Sequence, residues 1–247
     1  MKALPLVLVP GLMCDHTVWQ PLLPFFDTAQ TCQMIDHQSA NSLSQMAQQL
    51  LDASPPKFVL AGHSMGGRVA LEVLRIAPER VAGVALMDTG YLAKVEGPAG
   101  ELEVKKRLVL LEIAQSSGIR AMAAEWVKGM VHPSRLADNE LIENILKMFE
   151  TKNSDIFARQ LLALIFRKDA TDVLKTIRIP TLILCGEQDA WSPPSQHEEM
   201  LHFVPHATLS VIANAGHMST MEKPKEVAAA MNNWLSQCSS FSASNEG

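Results

Sequence analysis

The hexapeptide Gly62-His63-Ser64-Met65-Gly66-Gly67 follows directly on the apolar run Lys57-Phe58-Val59-Leu60-Ala61 and opens a helical pattern. A Gly-x-Ser-x-Gly string between a strand and a helix demands a sharp, strained turn with the serine at its apex. A serine hydroxyl is a weak nucleophile. It becomes useful when a turn presents it beside a base, with backbone N–H groups aimed at the developing oxyanion. Gly62 and Gly66 lack a Cβ, so strand and helix can approach closely around that turn. The same string also occurs in ordinary loops, so its context has to decide.

Context begins with the alternation of short apolar runs and amphipathic segments, the pattern of a mostly parallel sheet covered by helices. Strands are expected over residues 5–9, 31–35, 57–61, 81–87, 181–185 and 208–212. Helices are expected over 42–53, 65–77, 195–203 and 226–235, with residues 239–247 a polar, fraying tail. Between Thr89 and about Thr171 the strand pattern stops. Four helical patterns replace it, near 101–116, 119–130, 138–150 and 154–167, with Ser154 and Asp155 suited to a helix start. The division implied is a core over 1–89 and 171–238, with a helical cap over 90–170 laid across the strand ends.

In open parallel sheets, ligands bind beyond the carboxyl ends of the strands. The residues that follow each expected strand are therefore the candidates. They are Pro10-Gly11-Leu12-Met13, Ser64, Asp88, Gly186-Glu187-Gln188-Asp189 and Asn214-Ala215-Gly216-His217. A serine, two carboxylates and a histidine fall on one edge, in the order Ser64, Asp189, His217.

With these residues in view, the chain resembles the α/β-hydrolases along nearly its whole length. The resemblance rests on three segments: the turn around Ser64, Gly186-Glu187-Gln188-Asp189-Ala190-Trp191-Ser192-Pro193-Pro194, and Ala215-Gly216-His217-Met218 ahead of Glu222-Lys223-Pro224. It implies an α/β-hydrolase fold with an inserted four-helix cap. The chain starts at what resembles the family's third strand, so about six mostly parallel strands are expected, without the first hairpin. Many members carry His-Gly where this chain has Pro10-Gly11.

The resemblance and the chemistry assign the same roles. Ser64 is the nucleophile, His217 the base and Asp189 the group that orients the imidazole. The backbone N–H groups of Leu12 and Met65 are the oxyanion-hole donors, so Pro10 leaves that function open. Asp88 is the runner-up acid, since some hydrolases carry it after this strand; an aspartate there also serves as a cap or turn residue. Trp126, Trp191 and Met218 are candidates for pocket lining or plain packing. His63 orients the turn or sits in the core, and the other histidines read as surface or packing residues. Glu187 and Glu222 read as solvated. Among the 13 methionines, Met122, Met130 and Met148 fall in the cap, as core or as an adaptable acyl pocket. Lys105-Lys106-Arg107 offers charge to an anionic substrate or carrier protein, or is the wet face of a helix.

The expected activity is cleavage of a carboxylic ester or thioester of a small or medium acyl substrate, without metal or cofactor. A serine at the turn argues against the dehalogenases and epoxide hydrolases of this family, which use a carboxylate there. A carbon–carbon hydrolase, a lactonase, a lyase and a non-catalytic ligand-binding protein on the same fold remain the alternatives. A formal charge of −5 gives no basic footprint for nucleic acid. No apolar run reaches the ~18 residues needed to span a bilayer. The first nine residues carry one positive charge, an internal proline and no small-x-small cleavage site, and Met13 before Cys14 does not suit a lipoprotein signal. Four scattered cysteines without metal spacing read as reduced thiols, so a cytoplasmic location is expected.

Overall fold

The computed structural model describes residues 4–27 and 29–245. Along the chain come β1 (Leu6–Val9), β2 (Cys32–Met34), α1 (Leu43–Ala53), β3 (Phe58–His63), α2 (Met65–Ile76) and β4 (Val81–Met87). Four helices follow: α3 (Pro98–Ser117), α4 (Ile119–Trp126), α5 (Asn139–Glu150) and α6 (Ser154–Ile165). The chain closes with α7 (Thr171–Thr176), β5 (Thr181–Gly186), α8 (Pro194–Phe203), β6 (Thr208–Ile212), α9 (Ser219–Glu222) and α10 (Pro224–Asn245).

Among the described residues the strands form one six-stranded sheet in the order β2-β1-β3-β4-β5-β6, and every pairing is parallel. Strands β1, β3, β4 and β5 are buried along their whole length. That is why they read as continuous apolar runs rather than alternating ones. Helices α2, α8 and α10 pack on the sheet. From β1 the chain steps outward to β2, then returns past β1 to β3. The strand order therefore reverses between β1 and β3, and a crevice opens there at the carboxyl ends. The Gly11-Leu12 loop and Ser64 follow these two strands.

Side-chain caps open helices α1, α5 and α6. Ser42 caps α1 by accepting from Gln45 N, and Asp138 caps α5 by accepting from Leu141 N. At α6 the cap is Asn153, which accepts from Ile156 N, and the expected starter Ser154 is the first helical residue. The expected fraying tail is corrected over residues 239–245, where α10 continues to Asn245; residues 246–247 lie outside the described residues. Cys238 is buried against Gly83, and Ser236, Ser239 and Ser240 return their hydroxyls to the carbonyls four residues back. A polar, serine-rich composition hid that helix. All four cysteines are free. Among the described residues no helix is long and apolar enough to cross a membrane.

Candidate active site

Ser64 sits at the junction of β3 and α2 with φ 55° and ψ −118°, a backbone conformation that L-residues rarely adopt. The surrounding glycines make the turn feasible. A Cβ at Gly62 would collide with the Gly66 carbonyl, and one at Gly66 with the Val9 carbonyl of the neighbouring strand. Ser64 N donates to Met87 O at 2.8 Å, and Thr89 Oγ1 donates to Ser64 O at 2.7 Å. The end of β4 and the residues after it thus hold both sides of the strained residue.

Three loops bring the sequence candidates together. His217 Nε2 lies 2.7 Å from Ser64 Oγ, and His217 Nδ1 lies 2.7 Å from Asp189 Oδ2. The second Asp189 oxygen accepts from Trp191 N at 2.9 Å and Ser192 N at 3.0 Å. Burial alone would raise the Asp189 carboxyl, but the His217 charge and hydrogen bond, with the two N–H donors, hold it below its ordinary value. For His217, burial disfavours the cation. The Asp189 charge and hydrogen bond outweigh it and raise the imidazole above 6.5. Electrostatically the two groups form one buried pair.

Asp88 is fully buried and contacts different groups from Asp189. Its Oδ1 accepts from Gly186 N at 2.9 Å, and its Oδ2 accepts from Ser219 Oγ at 2.5 Å. The His217 ring bonds to Asp189, so the runner-up acid ties β5 to α9 instead. Burial and the neighbouring Asp189 charge push its carboxyl well above the ordinary range. His63 packs beneath the site and donates Nε2–H to His217 O at 2.8 Å. Burial, then the His217 charge, push His63 down to about 3, so it stays neutral.

The backbone N–H groups of Leu12 and Met65 both belong to residues that line the cavity at Ser64. Met65 opens α2, so its N–H has no intrahelical acceptor. The Leu12 loop is shaped by Met13 at φ 62°, whose N–H donates to Gln160 Oε1 of α6 at 2.8 Å. His37 Nε2 donates to Pro10 O at 2.8 Å from the other side. A buried, hydrogen-bonded His37 supports this loop from a position that read as surface or packing.

Two further supporting residues escaped the sequence. Gln160 is one. Glu222 is the other, and its expected solvation is corrected: it is 3% exposed. Its Oε1 accepts from Gly216 N at 2.9 Å and its Oε2 from His132 N at 2.7 Å. The residue before His217 is thereby fastened to the segment following α4. Met218 N adds a bond to Met130 O at 3.2 Å. Burial raises the Glu222 carboxyl, against the pull of those N–H groups. The signal available was a glutamate five residues after His217, directly before Lys223-Pro224. Glu187 is exposed, as expected.

The cavity over Ser64 measures about 470 Å³. One part of its wall is apolar, with Trp126, Met130, Phe149, Leu161, Trp191 and Met218. Trp191 lies over His217 with ring centroids 4.8 Å apart, and Trp126 stacks on Trp191 at 5.6 Å. All three pocket-lining candidates therefore face the cavity. Of the methionines singled out between the strands, Met130 lines it, while Met122 and Met148 are buried in the core. From the basic run, Lys106 and Arg107 face the cavity and Lys105 lines a separate outer groove. Among the described residues no group of three or more His, Cys, Asp or Glu side chains converges to hold a metal ion.

The chain is similar to known proteins in both sequence and fold. The pimeloyl-[acyl-carrier protein] methyl ester esterase of Photobacterium profundum is 26% identical over 242 residues, covering 93% of this chain and 94% of that protein. The chain spans 61% of the length of a Haemophilus influenzae relative, and 56% of a Pseudomonas putida acetyltransferase component of an acetoin cleaving system. Among solved structures, an esterase from Thermogutta terrifontis superposes with a TM-score of 0.82 at 29% identity, covering 96% of this chain and 91% of that one. The enol-lactonase of Burkholderia xenovorans LB400 shares the fold, with a TM-score of 0.81 at 17% identity, covering 94% and 92% of the two chains. The model of the alpha/beta hydrolase family matches residues 6–230, and the chain belongs to that family.

Proposed function

We propose that the protein is a serine hydrolase that cleaves carboxylic esters, thioesters included, of a small or medium acyl substrate. The observation that carries this reading is the unbroken line Ser64 Oγ–His217–Asp189, with both links at 2.7 Å, opening into a cavity. With Asp189 ionised, the His217 Nδ1 proton is directed to it and the Nε2 lone pair faces Ser64. Substrate attack then forms the bond from Ser64 Oγ to the acyl carbon, while the hydroxyl proton passes to His217 Nε2. The carbonyl oxygen becomes an oxyanion held by the N–H groups of Leu12 and Met65, where each donor is worth roughly 10²–10³ in rate. Collapse breaks the bond to the leaving group, which takes the proton from His217. Water then attacks the acyl-Ser64 ester, gives its proton to His217, and restores the serine as the acid departs.

The size of the cavity supports the substrate class. About 470 Å³ lies in the lower half of the range of small-molecule sites. Its aromatic and methionine wall suits an acyl chain of short or medium length. A series of p-nitrophenyl esters from acetate to palmitate, assayed with the native protein and with Ser64→Ala, tests the proposal. Turnover should peak at short or medium chains and vanish in the variant. Activity that persists without Ser64, or no ester turned over at all, would contradict it.

A further inference from the structure

The cavity wall away from Trp191 is cationic. Arg68, Lys106, Arg107 and Arg167 all line it, and the carboxylate on that side is Glu103. Asp88, which also borders the cavity, is committed to Gly186 and Ser219 beneath the triad, in surroundings that favour its neutral form. Glu103 is already occupied. It takes two bonds from Arg167, at 2.7 and 2.9 Å, and two from Arg107, at 3.1 and 2.9 Å. Among the described residues no carboxylate makes a hydrogen bond or ion pair with Arg68. Its Nη1 donates to Leu92 O at 2.9 Å, and Arg167 Nε shares that carbonyl at 3.3 Å. Two guanidinium groups therefore converge on one backbone oxygen.

Placing like charges together in a partly buried wall is unfavourable unless something opposes them. Burial, then the charges of Arg167 and Arg107, push Arg68 down to about 9, against weaker support from Glu103 and Asp169. It is still a cation at neutral pH. Arg68 is also four residues beyond Ser64, one turn along α2, a rise of about 6 Å. A single small molecule bound at Ser64 can thus reach it.

We propose that this wall is an anion-binding subsite centred on Arg68, and that the natural substrate is an ester carrying a carboxylate or phosphate group apart from the scissile bond. This rests on the serine-esterase reading and adds the charge of the substrate to it. A planar guanidinium with free donors suits such a group, and the flanking cations add a field that draws it in. The paired Arg107 and Arg167 form the frame, and Arg68 supplies the open fork.

The test compares mono-p-nitrophenyl esters of glutarate and adipate with the neutral valerate and hexanoate esters, corrected for spontaneous hydrolysis. The charged ester should win in kcat/KM by about tenfold or more, the scale of one charge-assisted hydrogen bond. The advantage should lie mainly in KM and shrink with added salt. Arg68→Met should bring the charged-to-neutral ratio down towards one. Glutarate and inorganic phosphate, tested as competitive inhibitors of neutral-ester hydrolysis, distinguish a carboxylate from a phosphate preference. No charged-ester advantage in the native protein, or a ratio that survives Arg68→Met, overturns the subsite. Should the variant not fold, the salt series decides, and a salt-independent ratio overturns it. Turnover of neutral esters without any gain from charge defeats the subsite alone, whereas failure of every ester strikes the esterase reading beneath it.

Discussion

The loops at the strand ends and the helices between β4 and β5 meet at one cavity, yet they are held by different forces. On the sheet side, Met13, Ser64, Asp88 and Asn214 all adopt positive φ, and each belongs to a loop that immediately follows a strand. Buried hydrogen bonds fix those loops, from the Thr89 hydroxyl on Ser64 O to the Asp88 carboxyl on Gly186 N and Ser219 Oγ. Conformational strain of this kind persists only where the surroundings over-determine it. Helices α4, α5 and α6 instead pack apolar faces inward, with Met122, Ile145 and Phe157 fully buried; ion pairs lie outside, such as Arg120 with Glu143 and Glu150, and at the cavity wall, where Glu103 pairs with Arg107 and Arg167. Geometry is built on the sheet side, and the other side supplies the walls. Gln160 and Glu222 are the crossing points, where one buried side chain ties a loop of the proposed active site to the inserted segment.

Damage at the sheet edge should be the most severe. Ser64→Ala should lower ester turnover by roughly 10⁴-fold or more while the circular dichroism spectrum stays native. Asp189→Asn should cost about 10⁴ in kcat, because the imidazole loses the partner that sets its tautomer. Asp88→Asn should cost far less, and the opposite ranking would move the acid to Asp88. The crossing points come next. Glu222→Ala strands a buried N–H at Gly216 and a half-buried one at His132, and should lower stability by about 1–3 kcal/mol with a smaller loss of kcat than Asp189→Asn. A native melting temperature for that variant would show the two sides to be independent. At the outer face, Arg120→Ala should leave both melting temperature and kcat/KM unchanged within error.

The pH profile separates the two sides further. In the proposed mechanism His217 must be neutral to take the serine proton, so kcat/KM should fall as pH drops through the His217 value. Because Asp189 raises that value, the acid limb should lie above 6.5 in the native protein. In Asp189→Asn the raising charge is gone while burial remains, so the residual activity should show a limb at lower pH. An unshifted limb would mean that another group governs it.

The same contrast explains what the sequence disclosed. Buried parallel strands are long apolar runs, and Ser64, Asp189 and His217 stand shortly after three strands, so the strands and the meeting of these three side chains at one sheet edge could both be read. Helices α4, α5 and α6 also showed themselves through amphipathic spacing, whereas α3 leaves Leu102, Leu108 and Val109 exposed. What stayed hidden depends on tertiary placement. Gln160 is one polar residue on an amphipathic helix, and nothing local marks it as the partner of Met13 N. Glu222 looks solvated until α9 folds back and delivers it to Gly216. Arg68 sits in plain view beside the Ser64 motif, but only the fold shows Glu103 committed to two other arginines.

Labelling with a fluorophosphonate, followed by peptide mass spectrometry and a parallel esterase assay, asks Ser64 itself whether it is the nucleophile. One stoichiometric adduct is expected, on Ser64, with activity lost in step with labelling and no adduct in Ser64→Ala. Modification of another residue, or full esterase activity in protein labelled at Ser64, would contradict the serine mechanism.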